Sequence, residues 1–167
     1  MSGEQLPLPT SAARGISLAQ AKREMLAKVE DGAPCPCCGR LVKLYKRKLH
    51  SEMAAFLCRL VRKYQHEQRY YSTRELCPAL TKSATDGSYL VLWDLIEKEP
   101  SENHAGGKAG MYRPTIHGQE FVLGYTTVKS HVHLLCGEVI GFSDDYIHIK
   151  EALGSRFNYE ELMGRKD

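Results

Sequence analysis

Residues 100–110, PSENHAGGKAG, hold one proline, three glycines and no large apolar side chain. No helix or strand persists through such a stretch, because Pro100 lacks a backbone donor and each glycine has more conformational freedom to lose. The segments on either side must therefore be separate elements joined by a polar loop. Before the loop, DGSYLVLWDLIEKE (86–99) sets Leu90, Trp93 and then Ile96 or Glu97 at helical intervals, which predicts a helix starting near Asp86. After it, Met111-Tyr112-Arg113 reads as a short strand, and Thr115 sits where a helix running through Phe121 needs its cap.

Upstream, Ser51 is placed to cap a helix whose Met53, Phe56, Leu57, Leu60 and Tyr64 form one stripe, with Arg59, Arg62 and Lys63 on the other face. Ser72-Thr73-Arg74-Glu75 has capping-box spacing and predicts a short helix through Leu76 and Ala79, with Pro78 early enough to be tolerated. A turn at 82–85 separates it from the helix at 86. Three helices joined by short polar turns make a helix-turn-helix trio.

Nearer the start, Ser17-Leu18-Ala19-Gln20 opens a helix carrying Ala21, Met25, Leu26 and Val29 on one face up to Gly32. Leu41 to Leu49 reads as an extended amphipathic strand. TTVKSHVHLLCGEVIGF (126–142) alternates as a hairpin turning at Cys136-Gly137. Asn158 is set to cap a last helix with Glu160 and Glu161 in its first turn, where negative charge suits the helix dipole. The expected organisation is a flexible tail at 1–16, an N-terminal helix with a cysteine knuckle and basic strand at 17–50, the helical trio and its loop at 51–125, and a hairpin plus helix at 126–167.

Cys35-Pro36-Cys37-Cys38-Gly39 crowds three of the six cysteines into four positions, too close for an ordinary disulfide framework. Cys35 and Cys38 have the Cys-x-x-Cys-Gly spacing of a zinc knuckle, in which two thiolates two residues apart grip one tetrahedral ion. Zinc is thus the expected cofactor. A closed site needs four ligands, and Cys37 or His50 are candidates to extend it, whereas Cys58 and Cys77 read as small buried thiols within helices. His131 and His133 share a strand face, but half-exposed strand positions account for them.

Charge is local. The chain carries +3, yet residues 40–69 hold nine basic side chains against two acidic ones, while 1–34 balance and 70–167 are acidic by four. A polyanion contact has this footprint. Hydrophobic content of 43% and charged content of 26% are globular values. No apolar run reaches membrane-spanning length and the start lacks the pattern of a secretion signal, so no membrane association and a cytoplasmic setting are expected. No phosphate-binding glycine loop, nucleophile elbow or His-Glu-x-x-His helix occurs, and the pairs Asp144-Asp145 and Glu160-Glu161 diverge rather than converge on a substrate, so no enzyme is expected.

The run Leu95-Ile96-Glu97, the glycine-rich segment 98–110 and the return Tyr112-Arg113-x-Thr115-x-x-Gly118-x-x-Phe121 resemble winged-helix DNA-binding regulators. From CPCCGRLVKLYKRKL to VHLLCGEVIGF and ALGSRFNYEEL, the chain also resembles small bacteriophage-encoded proteins. These resemblances imply an α+β fold with a winged helix-turn-helix core and a DNA-binding regulator acting in a bacterial host. The contact residues expected are Arg40, Lys43, Lys46, Arg47, Lys48, Arg59, Arg62, Lys63, Lys82, Ser88, Tyr89, Lys108 and Arg113, and a homodimer is compatible with this use. The alternative is a module that binds and redirects a host protein. The presumed reading helix has no arginine of its own, which suits phosphate contact better than base readout.

Overall fold

The fold is described from a computed structural model, over residues 15–77, 86–102 and 108–165. Residues 1–14 of the tail expected at 1–16, residues 78–85 with the expected helix end at Pro78 and Ala79 and the turn at 82–85, the central part of the polar loop, and residues 166–167 lie outside the described residues.

Mixed helices and small antiparallel sheets make up the chain. In order, these are α1 (Leu18–Ala27), β1 (Ala33–Pro34), β2 (Leu41–Val42), β3 (Leu44–Lys48), α2 (Ser51–His66), β4 (Tyr71–Ser72) and α3 (Thr73–Leu76). A 3-10 helix (Gly87–Trp93), β5 (Ile96–Glu99), β6 (Lys108–Pro114), α4 (Ile116–Leu123) and β7 (Val128–Lys129) follow. The chain continues with β8 (His131–Leu135), β9 (Glu138–Phe142), β10 (Tyr146–Ile147), α5 (Ile149–Leu153) and α6 (Tyr159–Met163). The described strands pair in the orders β1-β2, β3-β8-β9, β4-β6-β5 and β7-β10. No helix among the described residues is long and apolar enough to cross a membrane.

Two compact units emerge, one from residues up to 46 with 133–140, the other from 47–132 with 141–167. The sequence places its boundaries at 50/51 and 125/126 instead. In the smaller unit, α1 starts at Ser17, whose hydroxyl accepts the Gln20 amide. The Gln20 side chain turns to Glu24 instead of closing a capping box. Only Ala21 of α1 is buried. Cys136 and Gly137 both have positive φ at the β8–β9 turn, which matches the twist that a two-residue hairpin turn requires.

The larger unit is organised around α2. His50, not Ser51, is its N-cap residue. Residues 52–58 are buried all around the helix, because the 3-10 helix, β6, α4, α5 and α6 all pack on it. Phe56 meets the Tyr112 ring edge-on, with centroids 6.3 Å apart. Gly87 lies flat on the Phe56 ring, where an added Cβ would sit 2.7 Å from ring carbons. The capping box at the start of α3 is complete: the Ser72 hydroxyl accepts the Glu75 amide, and the Glu75 carboxylate accepts the Ser72 amide at 2.8 Å. Cys77 takes φ −136° and ends this helix before Pro78, as a residue preceding proline is pushed out of the helical region.

One helix predicted from the sequence is shorter than expected. The helical backbone from Asp86 ends at Trp93, Asp94 enters the left-handed region, and Ile96–Glu99 become β5. The reason is non-local. Ile96 pairs with Pro114, Glu97 with Arg113 and Lys98 with Tyr112, which draws this apolar segment into a sheet with β6. The strand expected at 111–113 accordingly extends over Lys108–Pro114. Tyr71 of β4 pairs with Tyr112 on the other edge of β6. Thr115 caps α4 with its hydroxyl on the Gly118 amide at 2.9 Å, and Tyr112, Phe121, Trp93 and Leu95 are all buried.

Candidate nucleic-acid interface and cysteine knuckle

The two ends of the predicted basic segment behave differently. On α2 every predicted cation is engaged by the protein. Arg59 donates to the Cys77 sulfur at 3.6 Å and approaches the Phe157 ring, Arg62 donates to the Leu162 carbonyl at 3.4 Å, and Lys63 donates to the Glu75 carbonyl at 2.9 Å. These bonds tie α2 to α6 and α3, a structural role for cations that the sequence assigns to phosphate contact. Arg113 likewise pairs with Glu97 across the β5–β6 ladder and lies over the Tyr70 ring. The open groove of about 670 Å³ beside that pair also carries Asp94 and Glu120. Three carboxylates against one guanidinium repel a phosphate chain.

The segment around β3 keeps its charge available. Within the smaller unit, Arg40 is exposed and Lys43 half-buried, and neither side chain pairs with a described residue, whereas Lys46 pairs with Glu30 at 3.3 Å. That exposed pair contributes little to stability. Within the larger unit, Lys48 and Lys98 are exposed without a partner among the described residues. Lys108 is the first residue of β6, and Lys82 lies outside the described residues.

Arg47 and Tyr89, two predicted contact residues 42 positions apart, are brought together. The Arg47 guanidinium lies 3.6 Å above the centroid of the Tyr89 ring. Tyr89 is 36% exposed, and Ser88 beside it is half-buried on the same 3-10 helix. An arginine stacked on an aromatic face is held by the ring quadrupole, while the N–H groups along its planar edge remain free to donate. His50 meets Asp86 at 3.2 Å and ties the start of α2 to the start of the 3-10 helix.

The knuckle is a turn between β1 and β2. Pro34 pairs with Leu41, the Cys35 amide donates to Arg40 at 2.7 Å, and the Gly39 amide donates back to Cys35 at 2.8 Å. Gly39 has φ +72°, a conformation suited to glycine. The amides of Cys38 and Cys37 and then the Cys38 thiol donate toward the Cys35 sulfur and hold its pKa below the usual thiol range, with burial opposing them. This arrangement favours a thiolate. Cys37 and Cys38 are exposed. Among the described residues no three His, Cys, Asp or Glu side chains converge as a metal site. Cys58 and Cys77 are buried, and burial pushes the Cys58 pKa up to about 12.

A separate polar cluster, which the sequence reading did not single out, joins Ser130, Ser143, His131 and Asp145. The Ser130 hydroxyl contacts His131 Nδ1 at 2.6 Å but gives its proton to Asp145. Asp145 is held below the ordinary carboxylate range chiefly by that bond. Ser130 is 4% exposed, and the contacts serve to pin β10 and the end of β9 to β7.

No protein-family model, no curated protein and no solved structure matches the chain. The likeness to winged-helix regulators and to phage-encoded proteins rests on the motifs alone.

Proposed function

We propose that the segment from α2 to β6 is a winged helix-turn-helix that binds double-stranded nucleic acid through its phosphates, with little choice of base sequence. The succession α2, β4, α3, 3-10 helix, β5, polar loop, β6, with β6 central in the order β4-β6-β5, supports this reading. The observation that carries it is the Arg47–Tyr89 stack. Residues 86–94 contain no Arg, Lys, Asn or Gln, so the helix cannot read bases by the usual bidentate contacts. Arg47 brings a guanidinium edge to that helix from the adjoining strand, and planar guanidinium matches phosphate geometry. Lys48 and Lys98 add exposed cations in the same unit. Phosphate contacts of this kind set affinity and position without carrying sequence information.

Fluorescence anisotropy with several unrelated duplexes tests the proposal. The chain should bind them with similar affinity at low salt. Replacing Tyr89 by Ala should weaken binding to all of them, while Tyr89→Phe, which keeps the ring under Arg47, should not. Binding to none of the duplexes, together with stable capture of a protein partner, would support the protein-binding alternative, for which exposed Val91 at the end of the same helix offers an apolar contact.

A further inference from the structure

We infer that Cys35 and Cys38 form half of a zinc site, completed by the same two residues of a second copy of the chain. The inference is independent of nucleic-acid binding. It starts from ligand arithmetic. Structural zinc is held by four tetrahedral ligands, and a Cys-x-x-Cys-Gly turn supplies two. The knuckle has the local features a metal-bound pair needs: a turn closed by amide bonds on both sides of the loop and a left-handed Gly39 that lets the chain fold back. Yet no third ligand approaches among the described residues.

Two further observations point to a second copy as the source of the missing pair. Leu41, directly opposite Pro34 at the base of the knuckle, is 66% exposed. In the same unit Tyr45, Val139 and Ile140 are 60%, 42% and 56% exposed, the last two on β9, which is the edge of its sheet. An apolar edge strand of this kind invites pairing with another chain. A two-fold arrangement presents the same patch from both copies, so two knuckles meet as a matched set of four sulfurs with apolar side chains around them. Zinc suits this donor set because thiolates are soft ligands.

The test combines metal content with mass on the full-length chain purified under reducing conditions without added metal. One zinc per two chains and a particle of twice the chain mass are expected. Stripping the metal with a chelator should release monomers, and adding zinc back should restore the dimer. Cys35→Ser and Cys38→Ser should each lose both metal and dimer, whereas Cys37→Ser and Cys136→Ser should keep both. Because the serine variants could disturb folding, the chelation experiment on the unaltered chain stands as the independent arm. One zinc per monomeric chain, or a dimer that persists after the metal is removed, would overturn the inference.

Discussion

Replacing Gly118 by Ala reverses the effect that helix propensity alone would give. Gly118 lies in the first turn of α4, where alanine would ordinarily be favoured over glycine by about 1 kcal/mol. Here an added Cβ would sit 2.0 Å from the Leu95 carbonyl oxygen and 2.9 Å from its carbon. The obstacle is backbone, so it cannot rotate away. Relief requires a shift of about 1 Å between α4 and the residue that leads into β5, given that Cβ contacts closer than 3.0 Å essentially never occur. The same Leu95 carbonyl accepts the Thr115 amide at 3.1 Å, and the Thr115 hydroxyl donates to the neighbouring Asp94 carbonyl at 2.6 Å. Moving α4 away strains both. Overpacking typically costs about 1–3 kcal/mol and a lost hydrogen bond about 1 kcal/mol. After subtracting the propensity gain, the net loss is roughly 1–3 kcal/mol. For a chain of this size that lowers Tm by about 2–12 °C. Thermal and urea unfolding of Gly118→Ala should be compared with Gly141→Ala, whose Cβ would meet nothing within 4 Å and which should stay within about 0.5 kcal/mol of the parent. A Gly118→Ala chain as stable as the parent would refute the packing of α4 against Leu95.

Truncating the fully buried Phe121 to Ala should cost about 3–5 kcal/mol in denaturant unfolding. Glu75, held at a pKa of about 2 by its hydrogen bond from Arg69 and by Ser72, is depressed from its ordinary value. Its contribution is therefore complete above about pH 4.5 and lost as the pH falls toward about 2. Unfolding curves of Glu75→Gln across that window should show a shallower pH dependence than the parent, at lower stability near neutrality. In metal-stripped native protein, Cys37, Cys38 and Cys136 should react readily with a thiol reagent, while Cys58, buried and with its pKa pushed up to about 12, should react only on unfolding.

What could be read from the sequence was local chemistry. The Ser72–Glu75 box, the Thr115 and Asn158 caps and the Cys136-Gly137 turn need only three or four adjacent residues, and each forms as its spacing implies. The 86–99 segment differs because Leu90, Trp93 and Ile96 fit a helical stripe equally whether the chain continues as helix or turns into strand. Pairing of Ile96 with Pro114, 18 residues away, decides the matter. The α2 cations were legible as a basic stripe but not as structural ties, since Leu162 and the Glu75 carbonyl reach them from other elements. Nor could spacing place Arg47 over Tyr89. That contact brings residues 42 positions apart together, and it is the one on which the proposed function rests.

The most direct measurement is the salt dependence of duplex binding for the parent and for Arg47→Gln/Lys48→Gln/Lys98→Gln. Each lost phosphate contact on duplex DNA should reduce the slope of log affinity against log salt by about 0.9. Three contacts predict a slope shallower by roughly 2–3 units, with a similar loss of affinity across unrelated sequences. A folded triple variant that binds with the parent's slope and affinity would contradict the claim that Arg47, stacked on Tyr89, holds the phosphates together with Lys48 and Lys98.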